Sequence, residues 1–261
     1  MSTLRRSKLP LITTLVILFF FYLPIVVLIA DSFNLSSTGG AWKGFTFKWY
    51  VKLLENRQIW DAIRNSFVIA VASTFVSTVL GTIAAFALHR YSSRLQQVHS
   101  VLIYMPLVVP EILMGISLLL LFIALNVPLS LFTIFIAHVT FSLSYVTMVV
   151  LSRLQDFDYN LIEASMDLGA SAWVTARRVV LPLLAPGIIA GALLAFTLSV
   201  DDFVITFFVA GPGSTTLPVK IYSMIKHSHD LPVVNALSTL MLAVTFAVVL
   251  FSQRLTEKKT K

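Results

Sequence analysis

Six stretches of this sequence are apolar for long enough to cross a lipid bilayer: residues 11–30, 66–88, 101–124, 129–151, 183–209 and 233–251. A hydrocarbon core of about 30 Å takes roughly 20 helical residues. No water reaches the backbone there, so each spanning segment must satisfy its own N–H and C=O groups. Six such runs therefore read as an all-α, polytopic bundle, one membrane domain over residues 1–261 with no visible repeat or boundary. The composition agrees. It is 57% hydrophobic and 12% charged, with a mean hydropathy of +0.90, whereas soluble domains are about 25% charged.

The orientation follows from basic residues near the span ends. Arg5, Arg6 and Lys8 precede the first run, and Asp31-Ser32-Phe33-Asn34 reads as its outer end. That pattern suits an uncleaved first helix with its N-terminus inside, not a signal peptide. The inner side then carries Arg5, Arg6, Lys8, Arg90, Arg94, Arg153, Arg177, Arg178, Arg254, Lys258, Lys259 and Lys261. The outer side carries Lys43, Lys48, Lys52, Arg57, Arg64, Lys220 and Lys226. Both termini are expected in the cytoplasm, for a multi-pass protein of the cell membrane.

A net charge of +7 does not indicate nucleic acid, because the basic residues sit at the ends and in short loops rather than in one patch. There is no Cys, which excludes disulfides and thiolate metal sites. The five His are scattered without ligand spacing, so no metal site is expected. No Gly-x-x-x-x-Gly-Lys-Ser/Thr segment occurs, so this chain does not cradle ATP, and no nucleophile–base set suggests catalysis. His138, alone in the fourth run, reads as a satisfied packing residue rather than a proton relay.

Between the first two runs, Thr38-Gly39-Gly40 leads into Trp42, Phe45, Phe47, Trp49 and Tyr50 among Lys43, Lys48 and Lys52. Such rings and cations suit the membrane–water boundary, and the spacing of Trp49, Leu53 and Trp60 predicts an interfacial helix over residues 46–64. Gly81, Ala84, Ala85 and Ala87 offer small residues for helix packing in the second run.

Acids inside the apolar runs carry the functional signal, because a carboxylate in hydrocarbon is costly and must face a cavity, a partner or the bundle interior. Glu111 follows Met105-Pro106 and Val109-Pro110, whose prolines free backbone carbonyls. Asp201 and Asp202 stand together between Thr197, Ser199 and Thr206. On a continuous helix they would point about 100° apart, so that one faces a pathway and the other a neighbour. No Lys or Arg lies in these runs to neutralise them. A cationic substrate supplies the missing charge; the alternative is a hydrogen-bonded structural carboxyl.

The longest polar interruption of the second half is residues 158–182, DYNLIEASMDLGASAWVTARRVVLP. Asp158 can cap a first short helix and Gly169 can end it in the left-handed conformation. Ser171 can cap a second helix, and Pro182 closes the segment. The result is a helical knob on the cytoplasmic side.

The order Glu163-Ala164-Ser165, Gly169, Val179, Leu181-Pro182 resembles the EAA loop of ABC-importer permeases, with Ser165 at the position usually held by a second Ala. The resemblance extends to FTFKWYVKLLEN, MPLVVPEILMGISLLLLF, AHVTFSLSYVTMVVLSRL, VNALST and Ala195 to Lys226, which are similar to the permeases of spermidine/putrescine importers. In that family an acid follows the Pro at the Glu111 position, commonly Asp.

The resemblance implies a type I ABC-importer (MetI-like) fold and a non-catalytic permease for polyamines. It implies a second homologous permease chain, two ATPase subunits that bind ATP and Mg, and an extracytoplasmic polyamine-binding protein. Glu163, Ala164, Ser165, Gly169, Leu181 and Pro182 would couple to the ATPase, and Glu111, Asp201 and Asp202 would line the substrate pathway. A permease of the same scaffold for another solute and an ion-coupled secondary carrier are the alternatives.

Overall fold

The computed structural model describes residues 9–37, 41–90, 93–155, 157–227 and 231–257. Arg5, Arg6, Lys8, Lys258, Lys259 and Lys261, on which the orientation partly rests, and the turn Thr38-Gly39-Gly40 lie outside the described residues. Twelve helices account for most of the described chain: α1 (Leu9–Ser32), α2 (Lys48–Glu55), α3 (Arg57–Arg90), α4 (Arg94–Val108), α5 (Glu111–Ala124), α6 (Leu131–Gln155), α7 (Asn160–Asp167), α8 (Ala172–Thr175), α9 (Leu181–Asp201), α10 (Val204–Val209), α11 (Leu217–His227) and α12 (Leu231–Glu257). A five-residue π turn, Ala176–Val180, joins α8 to α9.

The chain gathers into two compact units, Met1–Ile59 with Ile221–Lys261, and Trp60–Lys220. In the first, α12 packs on α1 and α2. The side chains of α1 stay exposed from Leu11 to Val27, which suits a helix whose solvent is lipid. The segment after α1 is pinned by Asn34. Its Oδ1 accepts from the backbone N–H of Ser36 (3.1 Å) and Lys43 (3.0 Å), and its carbonyl accepts from the buried Trp49 indole at 2.7 Å. Phe33 stacks on Phe45 with centroids 5.3 Å apart.

The expected interfacial helix over 46–64 is two elements. Asn56 leaves the helical conformation (φ −82°, ψ 93°) and its side chain accepts the N–H of Ile59 at 3.3 Å, so it ends α2 and caps α3. Trp60 therefore belongs to the long α3.

The second unit is built around α6, which packs along α9 and against α4 and α10. Its buried residues, among them Ile134, Ala137, Phe141, Val146 and Val150, serve two apolar clusters. Small residues let the helices approach. A Cβ on Gly81 of α3 would stand 2.8 Å from the Val146 Cβ, and one on Gly191 of α9 would touch the same valine at 3.4 Å.

Among the described residues, α1, α3, α6 and the rod Ala172–Asp201 are long and apolar enough to span a membrane. The pair α4 and α5 qualifies together but is bent by 114°, and Leu231–Val244 of α12 is a shorter apolar stretch. Two of the six expected straight runs are thus corrected. Run 101–124 breaks at Val109-Pro110, because the proline ring pushes Val109 into extended backbone (φ −70°, ψ 131°). Run 183–209 breaks at Asp202, also extended (φ −64°, ψ 122°).

Candidate functional site

The two breaks meet. Pro106 of α4, Glu111 and Met114 of α5, Phe141 and Tyr145 of α6, and Thr197, Leu198 and Asp201 to Ile205 of the α9–α10 junction line one cavity of about 230 Å³. All three sequence-predicted acids border it. Glu111 opens α5, where the positive end of the helix dipole favours a carboxylate. Its side chain and that of Asp201 are exposed. Among the described residues no Lys or Arg lies within ion-pair distance of either.

Asp202 is different. Its side chain is only 6% exposed and is filled by internal bonds. Oδ1 accepts the N–H of Ile205 (3.3 Å), while Oδ2 accepts the N–H of Thr206 (2.8 Å) and the Thr206 hydroxyl (2.6 Å). Asp202 thus caps α10 and creates the break: a short carboxylate offers the next turn's N–H groups an alternative to a continuous helix. The His138 Nε2 stands 3.3 Å from the same Oδ2. On a helix the two acids would differ only in angle; at this break one is exposed and the other is tied inward.

His138, which the sequence presents as isolated, is fully buried and bonded at both ring nitrogens. Nδ1 lies 2.7 Å from the Ser199 hydroxyl and Nε2 lies 2.9 Å from Thr206 Oγ1. Ser199 also contacts Ser73 of α3 at 3.2 Å. The packing-residue reading is right about satisfaction but misses the partner, which sits in another apolar run. The two uncompensated ionisable residues of neighbouring runs were the available signal.

The helical knob at residues 158–182 forms as a second site. Asp158 accepts the Asn160 N–H at 3.0 Å ahead of α7. Gly169 is left-handed at φ +84°, and Ser171 accepts the Val174 N–H at 3.4 Å. The closing bonds, Gly169 N–H to Met166 O (2.9 Å) and Ala170 N–H to Ser165 O (3.2 Å), make a Schellman turn. Pro182 does not close the segment. It occupies the first turn of α9, where a missing N–H is tolerated, so α8, the π turn and α9 continue as one rod from Ala172 to Asp201.

Ser165 bonds the Thr175 hydroxyl at 3.0 Å and so ties α7 to α8. Glu163 lines an open groove of about 600 Å³ with Arg90, Tyr159 and Met166. Burial pushes the Tyr159 hydroxyl above its usual pKa, against the pull of Arg90. Trp173 (71% exposed) and Leu168 (89%) present apolar surface, and Ala164, Leu181 and Pro182 are exposed as well.

The knob, the inner spans and the acidic cavity all fall within a region with known relatives. Residues 77–261 match the family described as binding-protein-dependent transport system inner membrane component. The spermidine/putrescine transport system permease protein PotC of Escherichia coli K12 is 42% identical over 242 residues, 93% of this chain and 91% of that protein. The putrescine transport system permease protein PotI of the same organism is 42% identical over 230 residues, covering 85% and 82%. A crystal structure of a bacterial ABC transporter involved in the import of the acidic polysaccharide alginate superimposes with a TM-score of 0.75 at 15% identity, covering 97% of this chain and 99% of that one. At that identity the likeness speaks for the fold, an all-α permease bundle. With a family match over most of its length and relatives at this identity, the chain belongs to the inner membrane components of binding-protein-dependent transport systems.

Proposed function

We propose that this chain is the permease subunit of an ATP-driven polyamine importer, contributing half of a pathway for spermidine or putrescine. The observation that carries the reading is that Glu111 and Asp201, from different helices, reach one cavity with no basic residue among the described residues to neutralise them. An ammonium group entering the membrane must exchange water for anionic or carbonyl ligands, and two carboxylates beside Tyr145 and Phe203 offer charge and aromatic faces together. A cavity of about 230 Å³ is smaller than the roughly 300–1,000 Å³ of a complete ligand site. That size suits one end of a polyamine, with a homologous second permease completing the path.

The chain catalyses nothing itself. ATP and Mg bind the two ATPase subunits, and an extracytoplasmic binding protein delivers the substrate. Both termini face the cytoplasm, so the knob meets the ATPase through Glu163, Ala164, Gly169 and the exposed Trp173. The rod from Ala172 to Asp201 carries the movement from knob to cavity, because a continuous helix transmits displacement along its axis. An anionic solute on the same scaffold is disfavoured by the cavity's sign.

The test is uptake of radiolabelled spermidine and putrescine by the assembled transporter carrying Glu111→Gln or Asp201→Asn. Each loses a charge-assisted hydrogen bond of about 1.5–3 kcal/mol, so apparent affinity falls tenfold or more. Wild-type uptake by both variants at limiting substrate would refute the polyamine pathway.

A further inference from the structure

We propose that His138 is a positioning residue of the pathway: its Nε2–H holds Thr206 and Asp202 at the α9–α10 break and so presents Asp201 to the cavity, while Asp202 itself never contacts substrate. The meaning of the cavity rests on the function proposed above; the positioning does not.

The direction of the hydrogen bonds around Thr206 decides whether Nε2 carries a proton. A carboxylate only accepts, so at 2.6 Å the Thr206 hydroxyl must spend its single proton on Asp202 Oδ2. The same oxygen stands 2.9 Å from His138 Nε2 and there can only accept. Nε2 therefore carries the proton, and it faces both Thr206 Oγ1 and, at 3.3 Å, Asp202 Oδ2. Without that N–H, the lone pair of Nε2 would face two buried oxygens that have no proton to offer it. Nδ1, by contrast, meets Ser199 (2.7 Å), a hydroxyl that can donate or accept.

One ring on α6 thus fastens both sides of the break: Ser199 on α9, and Thr206 on α10 with the Asp202 that caps it. His138 and Thr206 have no solvent exposure and Ser199 has 4%, so no water substitutes for a lost partner. Asp201 is the last residue of α9, and the extended backbone of Asp202 sets where the helix stops. If the latch opens, the turn after Asp201 is free to wind on as helix, and Val204 and Ile205 then stack over Asp201 and close it off from the cavity.

Glutamine and asparagine separate the two ring nitrogens. The amide nitrogen of Gln reaches the place of Nε2, and that of Asn reaches only the place of Nδ1. The chain has no cysteine, so Asp201→Cys introduces its single thiol. In the assembled transporter the rate of its modification by a small cationic thiol reagent reports whether position 201 faces the cavity. With His138→Gln the rate stays near that of the unaltered latch, and with His138→Asn it falls about tenfold, the weight of one hydrogen bond to a charged group. Thr206→Ser and Thr206→Val repeat the contrast through the other partner, and decide the matter if the His138 variants fail to assemble.

Equal labelling in the Gln and Asn variants, or in the Ser and Val variants, overturns the proposal. Uptake measurements supply a separate arm. If labelling follows the expected order while Glu111→Gln and Asp201→Asn transport normally, the latch stands and the polyamine pathway falls. If those two variants lose affinity while labelling ignores the latch, the pathway stands and His138 is only packing.

Discussion

Replacing Gly169 changes the energy of the backbone without changing packing. Its φ is +84°, and a Cβ added there would meet nothing within 4 Å. The Schellman turn it completes ends α7 and brings Ser165 within 3.0 Å of Thr175. An L-residue in this conformation costs roughly 1–2 kcal/mol; Asn pays less, because its short polar side chain tolerates the left-handed region, and a β-branched residue pays more. A change of one to two kcal/mol alters the ratio of closed to open turn by a factor of about 5–30. Gly169→Asn, Gly169→Ala and Gly169→Val should therefore form a graded series in which size plays no part. The assay is polyamine taken up per ATP hydrolysed by the complete transporter in liposomes. Coupling should fall in the order Gly, Asn, Ala, Val, with affinity for substrate unchanged. A valine variant that couples as well as the glycine parent, or an asparagine variant that couples worst, would refute the argument from backbone conformation.

Gly211→Ala should destabilise the permease by the upper end of about 1–3 kcal/mol or more, because the new Cβ would stand 1.8 Å from the Leu129 carbonyl oxygen and neither backbone can yield easily; thermal unfolding of the purified transporter in detergent reads the loss. Trp49→Phe removes the indole N–H that the buried Asn34 carbonyl accepts at 2.7 Å, a loss of about 1–3 kcal/mol visible as faster proteolysis of the segment between α1 and α2. Ser165→Ala gives up only the bond to Thr175, about 0.5–1.5 kcal/mol, so uptake should stay within a few-fold of the parent.

Hydropathy located the runs because burial in lipid is a property of many residues summed, but it carried no information on where a run bends. Pro110 did carry it: the residue before a proline avoids helix, and Val109 is extended as that rule demands. Reading the run as straight placed Glu111 in mid-helix instead of at the start of a new one. The break at Asp202 has no Gly or Pro to announce it. It is made by a side chain taking the N–H groups of Ile205 and Thr206, a local signal that a helical reading of the apolar run hides. The knob was more legible, since Asp158, Gly169 and Ser171 act within a turn or so of themselves. Only Pro182 misled, because a proline that ends a helix and one that begins it look alike in sequence.

The partner of His138 lay furthest from local signals, 3.3 Å away in space but in a different apolar run. Yet the physics limits the choices. An acid inside an apolar run has two ways to escape the cost of desolvation, a polar cavity or a buried partner. With no Lys or Arg in these runs, His138 was the remaining candidate partner, and it can satisfy only one of two adjacent carboxylates. Asp202 has the histidine, Asp201 has the cavity, and the break between their helices is what lets neighbours in sequence take opposite solutions.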